Sequence, residues 1–202
     1  MLFRSRGARL LLAVSGGQHS MALTILLRDL QPLYGWELAL WHGDHGWHPR
    51  SATVATELLA WARVQGLTAW SDQAPVGDAQ GEAAARRWRY GCLEQEARQL
   101  GCGRIVTGHT ASDRAETLLF HLIRGSGLRG LASLRACRPL APGLTLVRPL
   151  LGMQRSETLD PNLAKHPPGG IHIPPQDLRA LDDVGAASGE RYTPRSLAWI
   201  ER

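Results

Sequence analysis

The residues best suited to chemistry begin with Ser15-Gly16-Gly17-Gln18-His19-Ser20. They stand between an apolar run, Leu10 to Val14, and an apolar stretch, Met21 to Leu27. A glycine turn that leads from a strand into a helix lets the backbone approach an anion closely. The free N–H groups and the helix dipole then favour negative charge. The Gly-Lys-Ser/Thr ending of a Walker loop is missing, as is the six-residue dinucleotide fingerprint. An isolated Ser-Gly-Gly also serves as a plain tight turn. A second group is Gly108-His109-Thr110-Ala111-Ser112-Asp113-Arg114-Ala115-Glu116-Thr117. Asp113 and Glu116 fall in one first helical turn, where both can face the strand ends. Carboxylates beside a phosphate hold a hard cation or orient a nucleophile; the ordinary alternative is helix capping. A third group, Arg124-Gly125-Ser126-Gly127, is a helix end that a glycine C-cap would also explain. Arg86, Arg89 and Tyr90 lie three and four residues apart and share a helix face, for RNA or substrate contact or as a solvated surface. His45 and His109 sit in loops at strand ends, as catalytic groups or as loop hydrogen-bonders.

These residues need elements to position them. Residues 8–14 read as a strand, followed by a helix to about Asp29, before Pro32. Residues 36–42 read as a strand and 43–50 as a polar loop, with Ser51 as N-cap of a helix to about Gln65. Residues 67–71 form a short strand and 72–80 a loop. Residues 82–100 read as a long helix with an apolar stripe of Ala84, Trp88, Cys92, Ala97 and Leu100. Residues 103–107 form a strand, and the following helix turns Ala115, Leu118, Leu119 and Leu122 inward. A short helix over 128–134 and a strand over 144–147 follow. The alternation predicts an α/β fold, a doubly wound parallel sheet covered by helices. In such sheets ligands bind beyond the carboxyl ends of the strands. The clusters at 15–20, 42–50 and 108–117 all fall there, which argues for one site rather than unrelated turns.

The chain has 202 residues, a formal charge of +5 and a pI of about 9.7. That balance permits a polyanionic partner such as RNA. Lys165 is the only lysine, which a GC-rich coding bias explains more simply than selection. Three separated cysteines, Cys92, Cys102 and Cys137, argue against a disulfide scaffold, a zinc ribbon or an iron–sulfur site. They suit a reducing cytosol. No apolar run reaches the ~20 residues of a membrane span, and no secretory signal opens the chain. From residue 159 to 202 the chain turns rich in Pro and Gly, so the expected organisation is a domain over 1–158 and an irregular tail over 159–202.

Taken in order, these motifs resemble the N-type ATP pyrophosphatase (PP-loop) family and, within it, the tRNA(Ile)-lysidine synthetases. The resemblance covers about residues 8–158. It runs through Ser15 to Ser20, Asp44-His45-Gly46-Trp47 with Ser51, Ala85-Arg86-Arg87-Trp88-Arg89-Tyr90, Gly108 to Thr117, Arg124 to Gly127 and Arg148-Pro149-Leu150-Leu151. It implies a Rossmann-like sheet of the adenine nucleotide alpha hydrolase type. It also implies ATP with its phosphates on Ser15, Gly16, Gly17, Gln18, His19 and Ser20. Mg²⁺ would be held by Asp113 and Glu116, or these would orient the lysine amine, with Arg86 as a further catalytic group. His45, Arg89, Tyr90, His109 and Arg124 would contact tRNA or substrate. The implied reaction joins free lysine to C2 of the wobble cytidine in the CAU anticodon of tRNA(Ile), through an adenylated cytidine, in the cytoplasm. Many members are homodimers, although no interface is legible in this sequence. The chain departs from the family where His19 replaces the loop aspartate and where the tail replaces the usual continuation after Thr158. These departures keep open a non-catalytic nucleotide- or RNA-binding remnant, or another PP-loop adenylating ligase.

Overall fold

The structure, a computed structural model, describes residues 6–75, 81–125 and 134–159. The expected short helix at 128–134 falls almost wholly outside these residues, as does nearly all of the 159–202 tail. Six strands form one sheet in the order β3-β2-β1-β4-β6-β5. They are β1 (Arg9–Ala13), β2 (Glu37–Asp44), β3 (Thr68–Gln73), β4 (Arg104–Thr107), β5 (Cys137–Ala141) and β6 (Leu144–Val147). The pairs β1–β2, β1–β4, β2–β3 and β4–β6 are parallel, and β5–β6 is antiparallel. The helices are α1 (Gln18–Tyr34), α2 (Ser51–Val64), α3 (Glu82–Gln99) and α4 (Ala111–Ile123).

The apolar run in β1 is continuous because both faces of the strand are covered. Leu10, Leu12 and Val14 pack with Leu23, Leu26, Leu27 and Leu30 of α1 and with Leu58 and Ala62 of α2. Leu11 points the other way and packs with Trp41, Leu93, Ala97 and Ile105 under α3. The chain winds outward from β1 through β2 to β3, then returns to place β4 on β1's other side. That reversal makes a crevice at the carboxyl ends of β1 and β4. The loop after each strand enters it, so the two richest motifs meet there.

Several local expectations are corrected. Helix α1 does not stop before Pro32 but runs through it to Tyr34. Proline disrupts a helix because its ring crowds the carbonyl one turn back and it lacks an N–H. Here burial of Leu30, Leu33 and Tyr34 offsets that loss. Gly35, left-handed at φ 64°, then closes the helix by donating its N–H to the Gln31 carbonyl at 2.8 Å. Ser51 is the first residue of α2, not its cap; Arg50 holds that position without a side-chain bond. Gly43 and Asp44 extend β2, and Asp72 and Gln73 extend β3. In α3 the buried residues are Ala85, Leu93 and Ala97; of the expected stripe Ala97 is among them, Trp88, Cys92 and Leu100 pack partly buried against the same core, and Ala84 is replaced by Ala85. The sheet is mixed, since β5 adds an antiparallel edge strand.

Helix α4 is the largest correction. None of its residues is buried. Leu119, Phe120, Leu122 and Ile123 are 58%, 52%, 51% and 85% exposed, and Ala115 is exposed as well. Its apolar spacing marks a face, but no described element covers that face.

A packing test follows. Leu26→Ala should cost about 2–5 kcal/mol, because Leu26 is fully buried between α1 and the sheet. Leu119→Ala should change stability by less than about 0.5 kcal/mol. Urea unfolding of both variants checks this contrast.

Candidate functional site

The turn after β1 is knitted by its own serines. Ser15 N–H donates to Ser20 Oγ at 3.2 Å, and Gly17 N–H to Ser15 Oγ at 3.3 Å. Ser20 Oγ donates to the Gly17 carbonyl at 2.9 Å. Gly17 is the N-cap of α1 in an extended conformation, and no side chain caps the helix. The first-turn N–H groups of Gln18, His19 and Ser20 therefore lack intrahelical partners and point outward for an anion. Gly16 has φ +77°, and a Cβ there would lie 2.8 Å from Val54 Cγ1. Both the conformation and the space require glycine.

The start of α4 is closed in the opposite way. Thr110 N–H and Thr110 Oγ1 both donate to Asp113 Oδ2, at 2.7 and 2.8 Å. This capping box occupies the α4 N-terminus with the protein's own carboxylate. The two helices are locked together through Gly108, where a Cβ would meet the His19 carbonyl oxygen at 2.9 Å and Ser20 Cα at 3.0 Å. His19 Nδ1 then stands 3.9 Å from Asp113 Oδ2, and its Nε2 is buried with no hydrogen-bond partner.

Two clefts open from this crevice and share Ala13, Ser15 and Arg89. The one towards α2 has a volume of about 310 Å³. Its walls include Val14, His42, His45, Trp47 and Val54. His42 Nδ1 lies 2.8 Å from the Val14 carbonyl. A carbonyl only accepts, so Nδ1 carries the proton. His45 lies between Trp47 and Trp88, each 5.2 Å away between ring centroids. Burial, then the Arg89 charge, lowers its pKa, which favours the neutral imidazole. Asp44 accepts the Gly46 N–H at 2.7 Å and so shapes the turn that carries Trp47.

The cleft towards α3 and α4 has a volume of about 460 Å³. The cradle, Arg86, Arg89, Tyr90, His109, Asp113 and Arg155 line it. Positive charge dominates its α3 wall. Arg86 and Arg138 lie over the Tyr90 ring at 5.7 and 5.3 Å. Arg148 is 2% exposed and donates to the Arg135 carbonyl at 2.8 Å. Burial by itself would raise the Tyr90 phenol's pKa, but Arg148, Arg86 and Arg138 outweigh it and hold it below its usual value. Burial also lowers the Arg89 and Arg148 guanidinium pKa values. His109 is pushed down to about 4, by burial first and by Arg148 second, and is neutral at physiological pH. Its Nδ1 lies 2.9 Å from Thr107 Oγ1. Burial would raise Asp113, but the Thr110 hydrogen bonds, with His109 and His19, hold its pKa below the usual value.

The structure thus gathers Ser15, Gly17, Gln18, His19, Ser20, Arg86, Arg89, Tyr90, His109 and Asp113 round one cleft, with His45 across Arg89 in the other. It does not bring in Glu116, which is exposed on α4 and lines neither cleft. The expectation that Asp113 and Glu116 face the strand ends together fails, because the capping box turns only Asp113 inward. Arg124 also stands apart, its guanidinium 4.1 Å over the Phe120 ring at the far end of α4. Sequence reasoning placed the 42–50 segment, with His42 and Trp47, at the site but gave a role there only to His45, and it missed Val54 and Arg155. The Asp44-His45-Gly46-Trp47 turn signal could have marked Trp47 as a cleft wall; nothing local marks Arg155.

Among the described residues, no group of three or more His, Cys, Asp or Glu side chains forms a metal centre. Glu82 and Asp113 both line the larger cleft, and Asp113 stands beside the cradle, 3.9 Å from His19 Nδ1. A Mg²⁺ ion typically uses one or two carboxylates together with substrate phosphates and water. The residues therefore fit a cation that arrives with a nucleotide, held by Asp113, and not a resident ion between Asp113 and Glu116.

Comparison with known proteins adds to this geometry. The family model described as a PP-loop domain matches residues 2–165. The chain is 56% identical over 153 residues to a tRNA(Ile)-lysidine synthase of Parasynechococcus marenigrum, covering 74% of this chain and 45% of that one. It is 52% identical over 162 residues to a tRNA(Ile)-lysidine synthase of Gloeobacter violaceus, covering 80% and 50%. The chain therefore spans about half the length of these curated relatives. Among solved structures it resembles a U34-tRNA thiolase from Methanococcus maripaludis, with a TM-score of 0.64, 15% identity, and coverage of 79% and 56%. That last likeness concerns the fold.

The buried neutral imidazole makes a pH prediction. In the unfolded chain His109 takes up its proton near the ordinary 6.5; in the folded chain it does so only near about 4. Stability should fall as pH drops through that window, by roughly 3 kcal/mol for this group. His109→Gln should lose less stability over the same window. Identical slopes for both proteins, in denaturant melts at stepped pH, would contradict the assignment.

Proposed function

Because the chain belongs to the PP-loop domain family, we propose that it carries the ATP-dependent ligation of lysine to the wobble cytidine of tRNA(Ile). Residues 1–158 serve as its ATP-binding domain. The observation that supports this most is the uncapped α1 N-terminus, set between an apolar cleft and an arginine-lined one.

The α2-side cleft takes the adenosine. Trp47, Val14 and Val54 offer apolar contact to the base, and His42 and Asp44 lie at its edge. The triphosphate then crosses the first-turn N–H groups of Gln18, His19 and Ser20. The wobble cytidine enters from the α3 side, in the CAU anticodon, with its flanking phosphates against Arg86 and Arg89. The C2 carbonyl oxygen attacks the α-phosphorus and pyrophosphate leaves. The lysine amine next attacks C2 and AMP leaves, which gives lysidine. Guanidiniums and helix N–H groups aimed at the phosphates offset the charge that grows in the first step. Mg²⁺, held by Asp113 when bound, would neutralise part of the same charge.

The Asp113 carboxylate fits the second step. Held ionised below its usual range, it receives the incoming lysine ammonium, while His109, lowered to about 4, is too weak a base to take the ammonium's proton and serves as a neutral hydrogen-bonding wall. His19 sits where the resemblance implies an aspartate. Its unpartnered Nε2 can meet a phosphate oxygen directly when it carries a proton, in place of a metal-bridged contact. From these substrates we infer a cytoplasmic setting. Among the described residues, no helix is long and apolar enough to cross a membrane.

Pyrophosphate release from ATP tests this reading. Release should need both a tRNA bearing a CAU anticodon and, for turnover, free lysine. Gly16→Ala should reduce ATP affinity by about tenfold or more, since it strains the cradle and crowds Val54. ATP binding with no tRNA-dependent release would refute the ligase activity and leave only nucleotide binding.

A further inference from the structure

The segment after β6 closes back over the cradle. Its short 3-10 helix, Arg155–Leu159, packs on the first turn of α1. The contact is specific. Gln18 Nε2 donates both to the Arg155 carbonyl at 3.0 Å and to Thr158 Oγ1 at 2.7 Å. Thr158 is buried, and its hydroxyl donates to the same Arg155 carbonyl at 2.7 Å. Gln154 N–H donates to Glu157 Oε2 at 2.6 Å and fixes the start of the turn. A residue of the cradle therefore clamps the backbone of Arg155 from 137 positions away in sequence. Arg155 lines the larger cleft together with Ser15, Gly17, Gln18, His19 and Asp113. Among the described residues no carboxylate is paired with it.

We propose that Arg155 is the cation that receives the pyrophosphate end of ATP, and that the Gln18–Arg155–Thr158 clamp positions it there. This rests on the ATP reading above. The cradle itself, Ser-Gly-Gly-Gln-His-Ser, holds neither lysine nor arginine. Arg86 and Arg89 come from α3, on the wall assigned to the acceptor base. When the acceptor oxygen bonds to the α-phosphorus, the bond from that phosphorus to the bridging oxygen breaks and its electron pair leaves with the pyrophosphate. Negative charge therefore grows on the side away from α3. A guanidinium there can bind two phosphate oxygens at once. Arg155 stands on that side, held by the helix whose N-terminus binds the same phosphates. Binding of the triphosphate and ordering of the 155–159 turn thus support each other.

Calorimetry with inorganic pyrophosphate, ATP and AMP tests this on the full chain and three variants. Arg155→Ala should weaken pyrophosphate and ATP by about tenfold or more and AMP by less than about twofold. Arg155→Lys should fall between. Thr158→Val, which keeps the arginine but loosens its clamp, should shift pyrophosphate and ATP in the same direction by a smaller factor. Circular dichroism melts on each variant separate a binding loss from a folding loss. Unchanged pyrophosphate affinity in Arg155→Ala, with wild type binding normally, overturns the role of Arg155 alone. An equal loss for AMP overturns it as well, since the residue would then act on the fold or the nucleoside. A wild-type chain that binds neither ATP nor pyrophosphate overturns both this proposal and the reading beneath it.

Discussion

The approach of Gly108 to the His19–Ser20 backbone is the contact on which the rest of the site depends. It joins the loops that follow β1 and β4, the two strands between which the sheet reverses direction. No side chain fits between them, so the N-terminus of α1 and that of α4 are held side by side. The sequence treats the two ends differently. Glycine at the α1 N-cap leaves donors for an outside anion, while Thr110 and Asp113 satisfy the α4 end internally. One open helix end beside one closed by a carboxylate gives a site with a fixed polarity: phosphate on one side, a cation or amine on the other.

Charge follows the same division. The α3 wall and the buried Arg148 supply positive potential that Glu82 and Asp113, the carboxylates lining the same cleft, offset only in part. Burial first and that potential second keep His109 neutral, and the potential holds Tyr90 below its ordinary pKa. A buried cation without a full partner is costly to fold, and a polyanionic substrate would relieve that cost on binding. The net charge of +5 is thus not spread evenly but is partly concentrated where a nucleotide and an RNA would meet.

Much of this was legible before any coordinates, for physical reasons that can be named. A strand covered on both faces must be apolar throughout, and Leu10–Val14 announced β1. Turns at strand ends collect in a wound sheet, so the 15–20 and 108–117 groups were expected to meet, and they do. Failures came where a local pattern lacked its tertiary context. The leucines of α4 have helical spacing, but spacing does not say what covers a face. Pro32 signals a break, yet tertiary burial carried α1 past it. The Pro142-Gly143 turn between β5 and β6 was a readable hairpin signal, masked by Pro139 within the strand. Glu116 looked equivalent to Asp113 by spacing, and only the capping box distinguishes them. Arg155 could not be found locally, because its place depends on a hydrogen bond to Gln18 across most of the described chain.

All of the proposed chemistry stands on a triphosphate bound at the open first turn of α1. Amide proton–nitrogen correlation spectra of the labelled chain, recorded as ATP is added, test it most directly. The largest shifts are expected at Gly16, Gly17, Gln18, His19 and Ser20, with the capped amides of α4 little changed. Shifts centred on the α4 N-terminus, or none at the cradle at saturating ATP, would contradict it.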